Sequence, residues 1–557
     1  MTVSVVIPTY NRRDQLLRCL EALAGQEGVT TSIEVVVVLD GCTDDTANAL
    51  RSLATPFTLR VLAQPNRGPA AARNSGLRAA SGDICVFLDD DIIAEPRLLA
   101  THATLHRVRA NVVGLGHLLM RIPPNSGAML RWYADGWRAD YERFADGADP
   151  NWSDCYSGNL SVRTDLLRAV GGFAPDMSLL EDLELCYRLA LAGAKFVYLS
   201  EAAATHYEHR SSRELAGRLE RLGAGWITLY ERHPGTLPDL LGTFHQARRR
   251  EVYLRGLLLR FDLPISVLDK VGYLLPTESA RRSWYSFLRR YCSWRGIRRA
   301  VPRALWSRLT GRAAILLYHA FAEPGERASR FVITGRRFAR QIRVLRRLGY
   351  SILSLREYID LVRTHQLPPR RTVVVTIDDG YADTREVALP ILRDLSVPAT
   401  LFIVSGKMGA TNDWTADGPL KGRKLLSARV VKQLADEGIA IGSHTRTHPS
   451  LPSLSPADAR DEIVSSRDDL QTILGKNVDV LAYPYGDWND AIAQLAAESV
   501  SLAGCTADGG LNQPDTLPHA LRRIEVHGTD GFVRFLLKLT IGNALRLWHV
   551  RPSIPNM

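Results

Sequence analysis

The chain has 557 residues, of which 46% are hydrophobic and 23% are charged. These proportions exclude a disordered or fibrous protein, and the length predicts about two to four domains. The formal net charge is +11, but ten arginines and no acidic residue fall within 279–322, so the rest of the chain carries only +1. The positive charge is therefore local, which argues against nucleic-acid binding by the protein as a whole.

The cysteines and the apolar segments exclude further classes of protein. The seven cysteines are scattered and form no CxxC pair, which argues against a disulfide framework and a structural zinc site. No apolar stretch is long enough to cross a bilayer, and strand-like sequence starts at Val3 without the pattern of a signal peptide. The sequence therefore predicts a cytoplasmic protein.

Strand and helix patterns alternate from the first residues to about Pro234. Short apolar runs at 3–7, 33–39 and 85–88 are each followed by polar residues. Alternating strands and helices indicate an α/β fold whose parallel sheet is covered on both faces. Functional residues are then expected at the carboxyl ends of the strands, where the polar residues stand.

Two acidic clusters of this first part need an explanation. Asp89 and Asp91 follow the third apolar run, and carboxylates at this spacing can converge on a divalent cation. Glu181 and Asp182 precede a helical stripe, where acids are ordinary partners of the helix dipole. Taken alone, the first cluster is typical of a solvated turn and the second of a helix start.

Further motifs change that interpretation. In chain order they are Val-Val-Ile-Pro-Thr-Tyr-Asn-Arg (5–12), Asp-Gly-Cys-Thr-Asp (40–44), Asn-Arg-Gly-Pro-Ala-Ala-Ala-Arg-Asn-Ser-Gly (66–76), Phe-Leu-Asp-Asp-Asp (87–91) and Gly-Gly-Phe (171–173). As a set, with Glu181-Asp182 and Arg188, they resemble the family 2 glycosyltransferases over about residues 1–230. The resemblance implies a GT-A fold, Rossmann-like with a mostly parallel sheet. It also implies inverting transfer of a sugar from a nucleotide donor, usually UDP-linked.

The resemblance further implies roles for single residues. It places the nucleotide sugar at Pro8, Asp40, Arg73, Asp89 and Asp91. Asp40 would contact the nucleobase or ribose, and Arg73 would lie near the base and phosphates. Asp89 and Asp91 would hold Mg²⁺ or Mn²⁺ on the diphosphate, with His206 as a further metal ligand or else a simple surface histidine. Asp182 would be the general base on the acceptor hydroxyl. Leu39 stands where the family often has an acid, which leaves the identity of the nucleotide open.

A second alternating pattern begins at 314–318 and runs to about Gly542. A strand at 372–377 ends in Asp378 and Asp379, adjacent carboxylates that repel each other unless a proton or cation intervenes. His444 and His448 are spaced to lie on one face of a helical turn and share one metal. One carboxylate and two histidines leave a position open for a catalytic water.

These residues belong to a second set of motifs. The matches are Thr-Ile-Asp-Asp-Gly (376–380), Pro-Ala-Thr-Leu-Phe (398–402), Gly-Ser-His-Thr-Arg-Thr-His-Pro-Ser-Leu (442–451) and Tyr-Pro-Tyr-Gly (483–486). They resemble the NodB-type polysaccharide deacetylases, carbohydrate esterase family 4, over about residues 312–545. The resemblance implies a distorted β/α barrel and metal-dependent hydrolysis of an N-acetyl group.

The implied roles again transfer by position. Asp379, His444 and His448 would bind the metal, usually zinc, and Asp378 would be the general base for the attacking water. The backbone N–H of Tyr485 would stabilise the oxyanion, and His527 is a candidate general acid for the leaving amine. Ala482 stands where the family has an arginine that orients the base, so Asp378 must be held by another residue.

The segment between the two patterns, residues 236–311, reads as helical and basic. Within 279–312 the ten arginines alternate with aromatic residues, namely Trp284, Tyr285, Phe287, Tyr291, Trp294 and Trp306. Two interpretations fit: a helix at an anionic membrane interface, or a solvated linker helix packed between the domains. A nucleic-acid arm is disfavoured because neither half carries a nucleic-acid module.

The sequence therefore predicts four parts: a glycosyltransferase domain at 1–235, the basic segment at 236–311, a deacetylase domain at 312–545 and a tail at 546–557. The predicted protein is bifunctional, adding N-acetylglucosamine from a UDP-sugar to a glycan or lipid-linked acceptor and removing an acetyl group from an N-acetylated sugar. It would be cytoplasmic, or peripheral on the inner face of the membrane. Two alternatives remain: the halves act on different sugars of a cell-surface polysaccharide, or one half is vestigial and serves as a carbohydrate-binding scaffold.

Overall fold

The computed structural model describes the backbone of residues 1–557 except 30–31, 246–248, 416, 418–419, 500–501, 515 and 542–557. Side chains are described for the same residues except 243–253. The predicted tail at 546–557 lies outside the described residues. Two compact units emerge. The N-terminal unit comprises Met1–His233 and Gly242–Val301, and the C-terminal unit comprises Pro234–Leu241 and the chain from Pro302 onward.

The strands are β1 Val3–Thr9, β2 Ile33–Asp40, β3 Thr58–Gln64, β4 Ile84–Leu88, β5 Ile92–Ala94, β6 Val112–Arg121, β7 Asn159–Arg163, β8 Lys195–Tyr207, β9 Ala314–Tyr318, β10 Ala320–Phe321, β11 Val332–Ile333, β12 Ser351–Leu353, β13 Thr372–Ile377, β14 Thr400–Ile403, β15 Ala440–Ser443, β16 Val480–Ala482, β17 Ala503–Cys505 and β18 Arg523–Glu525. The α-helices are α1 Arg13–Ala24, α2 Thr46–Arg51, α3 Pro69–Ala79, α4 Leu98–Val108, α5 Ala128–Ala145, α6 Thr164–Ala169, α7 Glu181–Leu191, α8 Ser212–Arg232, α9 Leu237–His245, α10 Arg249–Phe261, α11 Ile265–Leu274, α12 Glu278–Ala300, α13 Arg303–Leu309, α14 Gly335–Arg347, α15 Leu355–Arg363, α16 Leu389–Asp394, α17 Ala428–Asp436, α18 Pro456–Leu474, α19 Asp490–Ser499 and α20 Phe532–Ile541.

The N-terminal unit is built on one sheet in the order β3-β2-β1-β4-β7-β6-β8-β5. The first four strands of that order are parallel, whereas β7 runs antiparallel to both β4 and β6. Strands β1, β2 and β4 are buried almost throughout, which explains why they read as continuous apolar runs. The predicted Rossmann-like sheet is confirmed, and its β1, β2 and β4 ends bring their polar residues to one edge.

The last helix of the N-terminal unit, α12, packs closely on α8. Gly223 of α8 and Gly296 of α12 permit this approach, because a Cβ on either would lie 1.9 or 1.8 Å from a carbonyl oxygen of the other helix. Tyr291 and Trp294 are buried in the unit. The predicted basic segment is therefore helical, but most of its aromatic side chains face protein and cannot contact a membrane. The predicted segment begins at 236, and its residues Gly242–Val301 belong to the N-terminal unit.

A buried histidine network ties α4 to β7. His102 contacts Ser161 Oγ through Nδ1 at 2.7 Å and Asn159 Oδ1 through Nε2 at 2.9 Å, and His106 Nε2 lies 2.8 Å from the same Ser161 Oγ. Burial lowers the pKa of each imidazole to about 4. Both histidines are therefore held neutral beside the strand that pairs with β4.

This network predicts that acid destabilises the protein. The folded pKa lies below the unfolded value near 6.5, so the stabilisation is complete above about pH 6.5 and is lost as the pH falls towards 4, by up to about 1.4 kcal/mol per pH unit per histidine. Denaturant unfolding at several pH values should show this slope, and His106→Gln should flatten it. The exposed His209 provides the control variant His209→Gln, which should keep the slope; an unchanged slope in His106→Gln would contradict the assignment.

The C-terminal unit is a nearly closed parallel barrel with strand order β17-β16-β15-β14-β13-β9-β18, and β12 also pairs with β13. A parallel bridge between Cys505 and Leu521 brings the two ends of this order together. The strands are short, and helices α14–α19 cover them, so the predicted distorted β/α barrel is confirmed. Among the described residues, no helix is both long and apolar enough to cross a membrane.

Candidate active sites

The first candidate site is a cavity of about 600 Å³ in the N-terminal unit, here called the transfer cavity. It opens where β1, β2 and β4 end. Every predicted nucleotide-sugar, base and metal residue of this half lines it: Pro8, Asp40, Arg73, Asp89, Asp91, Asp182 and His206. The structure therefore brings together residues spread over 199 positions of the sequence.

Arg73 connects two acids of the transfer cavity. Its guanidinium donates to Asp89 Oδ1 at 2.8 Å and to Glu181 Oε1 at 2.7 Å. Arg73 and Glu181 are buried, whereas the Asp89 side chain is 42% exposed. Arg73, predicted near the base and phosphates, lines the cavity and connects the start of α7 with the end of β4.

Arg12 occupies the other side of the same acidic cluster. Its Nη1 donates to Asp90 Oδ1 at 3.0 Å and to Asp91 Oδ2 at 2.9 Å, and Thr9 donates to Asp90 at 2.7 Å. Burial raises the pKa of Asp90 to about 6, although Arg12 and Thr9 oppose this shift. Asp90 is thus a structural carboxyl at the end of the strand, and Asp89 and Asp91 remain to face the cavity.

The donors suit a divalent cation only in part. His206 Nε2 lies 3.5 Å from Asp91 Oδ2, close enough for both atoms to bind one ion. Burial raises the pKa of Asp91, but His206 and Arg12 outweigh it and lower the value overall. Within the described residues Asp89 does not join these two in a compact group of three ligands. Asp91 and His206 therefore fit a cation, and Asp89 faces Arg73 in this conformation.

Two adjacent carboxyls begin α7. Burial, reinforced by the charge of Asp182, raises the pKa of Glu181 to about 7, and burial also raises the pKa of Asp182. Their partners differ. Glu181 is bonded to Arg73, whereas within the described part of the chain Asp182 accepts from two backbone N–H groups, of Leu183 at 2.9 Å and of Ser157 at 3.3 Å. Asp182 is therefore the better placed of the two to accept a proton from a ligand.

Asp40 also shapes the cavity through the backbone. Its Oδ1 accepts from the Gln64 amide at 2.7 Å and from Arg67 N–H at 2.9 Å, and its Oδ2 accepts from Gly68 N–H at 2.8 Å. The predicted contact with a nucleobase or ribose would use lone pairs that these bonds leave over. Asp40 thus first positions the loop that leads into α3.

The second candidate site is a cavity of about 350 Å³ in the barrel, here called the amide cavity. Asp379, His444 and His448 line it, and their ligand atoms lie within 4.8 Å of one another. Asp379 Oδ1 is 3.3 Å from His444 Nε2 and 3.4 Å from His448 Nε2. This is the one such group of three among the residues that the structure describes.

The hydrogen bonds and charge of these ligands suit a metal ion. His444 Nδ1 lies 2.7 Å from the carbonyl oxygen of Ala482, which keeps the proton on Nδ1 and leaves Nε2 free to bind. Burial raises the pKa of Asp379, but the two histidines outweigh it and hold the value well below its usual range. The donor set of one carboxylate and two imidazoles fits Zn²⁺ or a similar ion and leaves a position open.

The predicted helical turn at the histidine pair is wrong. His444 follows β15 and His448 lies in a loop, with positive φ angles at Thr445 (63°) and His448 (69°). Tyr485 has φ 58° in a short 3₁₀ segment after β16, and its ring packs against His448 with 4.7 Å between centroids. The two histidines converge because the loop bends, and left-handed backbone at two cavity residues, His448 and Tyr485, is typical of a functional site.

Arg523 is the residue that holds Asp378. Its two terminal nitrogens donate to the two carboxylate oxygens of Asp378 at 2.6 and 2.8 Å, and its Nε donates to the carbonyl oxygen of Thr506 at 2.9 Å. Both partners are buried, and both line the amide cavity. Arg523, at the start of β18, thus supplies from another strand the arginine that position 482 lacks.

We expect Arg523→Gln to destabilise the barrel by about 3–5 kcal/mol, because it leaves a buried carboxylate without its cation. Arg330 offers a matched control, since it also forms a bidentate pair, with Glu525 at 2.9 and 3.0 Å, but its side chain is 52% exposed. Arg330→Gln should cost about 1 kcal/mol or less. Denaturant unfolding of the full chain measures both; equal losses would contradict the special position of Arg523.

The predicted general acid His527 is not among the residues that line the amide cavity. Its Nε2 lies 3.4 Å from Glu525 Oε2. His319 lines the cavity instead, directly after β9, and its charge contributes to lowering the pKa of Asp379. The signal that could have found His319 is its place at the carboxyl end of a strand next to β13 in the barrel.

Comparison with known proteins finds matches for both halves of the chain. Residues 4–171 match the family model described as glycosyl transferase family 2, and residues 365–500 match the one described as polysaccharide deacetylase. The predicted resemblance of the two halves to these two enzyme families is confirmed.

Curated relatives fall into the same two groups. A Bacillus subtilis protein described as a polysaccharide deacetylase, YxkH, is 25% identical over 212 residues, which is 38% of this chain and 70% of the relative. Validoxylamine A glucosyltransferase of Streptomyces hygroscopicus subsp. jinggangensis is 29% identical over 266 residues, 43% of this chain and 62% of the relative. This chain thus spans less than two thirds of that transferase relative.

Among solved structures, the Streptococcus pyogenes deacetylase PplD in complex with acetate aligns at 25% identity with a TM-score of 0.36. The alignment covers 41% of this chain and 98% of that one.

Proposed function

We propose that the chain is a bifunctional glycan-modifying enzyme. The observation that carries this proposal is that each half brings the acidic side chains of its predicted mechanism together around its own cavity. Asp182 faces the transfer cavity with Asp89 and Asp91, and Asp378 faces the amide cavity with Asp379 and the two histidines. A vestigial half serving as a scaffold would have no need to keep such a set.

The transferase half would act by a single displacement. Asp182 would accept the proton of the acceptor hydroxyl while that oxygen attacks the anomeric carbon of the donor sugar from the face opposite the nucleotide. Asp91 and His206 would hold a divalent cation that neutralises the diphosphate. Asp89 would join them after its hydrogen bond to Arg73 is broken. Arg12, now paired with Asp90 and Asp91, adds a positive charge on the same side of the cavity.

The deacetylase half would hydrolyse an amide. Asp378, oriented by Arg523, would take a proton from the attacking water, and the N–H of Tyr485 would stabilise the oxyanion. A Zn²⁺ or similar ion held by Asp379, His444 and His448 would supply Lewis acidity when bound. Trp414 stacks on His448 with 4.8 Å between centroids and lines the cavity, so it forms an apolar wall beside the ligands.

The leaving amine needs a proton, and His319 is the better placed donor. We expect His319→Gln to lower deacetylation by about 10²- to 10³-fold, because general acid catalysis contributes effects of that size. His527→Gln, outside the cavity lining, should stay near the wild-type rate. Acetate release from an N-acetylated oligosaccharide measures both variants; a larger loss for His527→Gln would restore the original assignment.

The two activities are proposed to act on one product. N-acetylglucosamine connects the two reactions, since a transferase can add it from UDP-N-acetylglucosamine and a deacetylase can then remove its acetyl group. The acceptor would be a glycan or a lipid-linked sugar, modified on the cytoplasmic side before export. Exposed arginines of α12, such as Arg281, allow a peripheral contact with an anionic membrane, without help from the buried aromatic residues.

Product analysis by mass spectrometry tests the proposal. The full chain would be incubated with UDP-N-acetylglucosamine, metal ions and an acceptor extract, beside variants inactivated at Asp182 or at Asp378. The expected wild-type product carries an added, deacetylated sugar, and each variant stops at one stage. Transfer with the acetyl group retained would favour separate sugars for the two halves, and failure of one reaction under all donors would favour a vestigial half.

A further inference from the structure

A second cavity adjoins the transfer cavity in the N-terminal unit. It has a volume of about 360 Å³ and lies between α5, α8 and α12; it is called the outer cavity here. Tyr133 of α5 lines both cavities. Since ligand sites commonly measure about 300–1,000 Å³, the outer cavity is large enough to hold part of a ligand.

The two cavities share Tyr133 and both lie along α5 and α8. On α8, Leu215 and Leu219 line the outer cavity, and Arg218 and Leu222 line the transfer cavity, so residues one turn apart lead from one to the other. Tyr133 stands at the junction: burial raises its pKa, and the charges of Arg218 in one cavity and Arg289 in the other oppose that shift. A ligand reaching Asp182 could therefore extend past Tyr133.

The outer cavity has an apolar floor and a basic rim. Its floor includes Met129, Leu215 and Tyr285, all buried. Its rim includes the exposed Arg282 and Arg289 of α12.

Each rim arginine is set against α5. The guanidinium of Arg282 lies 5.4 Å from the Trp132 ring centroid. A Cβ on Gly136 would lie 3.7 Å from Arg289 Nη1. The lining also contains two acids, Asp135 and Asp140. Asp135 is bonded to Arg138 of its own helix, so the two rim arginines outnumber the one remaining acid, Asp140.

We propose that the outer cavity binds the non-reacting end of the transferase acceptor, an amphiphile with an alkyl or prenyl chain and a phosphate group. The apolar floor would take the chain, and Arg282 and Arg289 would bind the phosphate, for which arginine is the preferred partner. This inference rests on the proposed transferase function, because the ligand is an acceptor only if the N-terminal unit transfers a sugar to it. The binding site itself can be tested without any transfer.

Binding of dodecyl phosphate below its micellar concentration, measured by calorimetry on the full chain, tests the site. Arg282→Gln/Arg289→Gln should bind about 10- to 100-fold more weakly than wild type, since two charge-assisted contacts are lost. The control Arg281→Gln/Arg303→Gln removes the same charge from the same basic segment outside the cavity lining and should bind like wild type. Equal affinity in all three proteins would overturn the proposal.

A second pair of variants tests whether the outer cavity must be open for binding. Gly136→Leu projects a side chain towards Arg289 and should weaken dodecyl phosphate binding at least about tenfold. Gly217→Leu is the match, because a Cβ there would also lie 3.7 Å from an arginine nitrogen, of Arg221, but outside the cavity lining. It should leave binding unchanged, and weakening by both substitutions alike would count against the site.

Two further ligands separate the parts of the amphiphile. Inorganic phosphate binding as tightly as dodecyl phosphate would overturn the role of the apolar floor. Dodecyl maltoside binding to wild type as tightly as dodecyl phosphate would overturn the role of the rim. If dodecyl phosphate binds as expected but neither a glycan nor a lipid-linked acceptor is glycosylated, the site stands and the proposed transferase function fails.

Discussion

Asp378→Asn is expected to lower deacetylation by about 10³-fold, within the range that a general base contributes. Asparagine keeps the shape of the side chain and can still accept one of the two bonds from Arg523, but it cannot take up a proton from water. The metal ligands Asp379, His444 and His448 are unchanged, so the variant should still bind one equivalent of zinc. Acetate release and elemental analysis together measure this outcome.

Asp417→Asn is the matched control for that variant. Asp417 also lines the amide cavity, but its side chain is 95% exposed and its nearest cation is Lys421 at 3.7 Å. It should deacetylate at nearly the wild-type rate. Loss of zinc together with activity in Asp378→Asn would show that Asp378 acts as a metal ligand, and full activity would remove it from the mechanism.

The residues that the sequence located well are those inside local motifs at strand ends. Asp378 and Asp379 follow β13, and His444 follows β15, so strand patterning alone brings them to one edge of a barrel. Arg523 could not be located in this way. Its partner Asp378 lies 145 positions earlier, and one arginine among many carries no sign that it will be buried against a carboxylate.

Local conformation was predicted less well than position. The spacing of His444 and His448 fits a helical turn and a bent loop equally well. The left-handed backbone at Thr445 cannot be predicted from a single sequence. The environment of α12 was ambiguous in the same way. The sequence predicted the helix itself, but the burial of Trp294 depends on a close crossing with α8, which Gly223 and Gly296 permit.

The transfer cavity poses a choice between two adjacent acids. The pKa of Glu181, raised to about 7, is the one that a general base at neutral pH would be expected to have. Its carboxylate is nevertheless bonded to Arg73 at 2.7 Å, and Arg73 also holds Asp89. A proton on Glu181 would weaken that connection between α7 and β4, so we expect Glu181 to position Arg73 and Asp182 to take the proton.

Asp182→Asn should therefore lower transfer by about 10³-fold while donor binding stays intact, because no donor-side residue has changed. Glu181→Gln keeps a hydrogen-bond acceptor for Arg73 and should lose far less in kcat, with its main effect on the stability of the N-terminal unit. Transfer rates at saturating donor, with donor affinity measured by calorimetry, distinguish the two. A greater loss of kcat in Glu181→Gln would assign the base to Glu181, and the raised pKa rather than the bonding pattern would then be the better guide to this site.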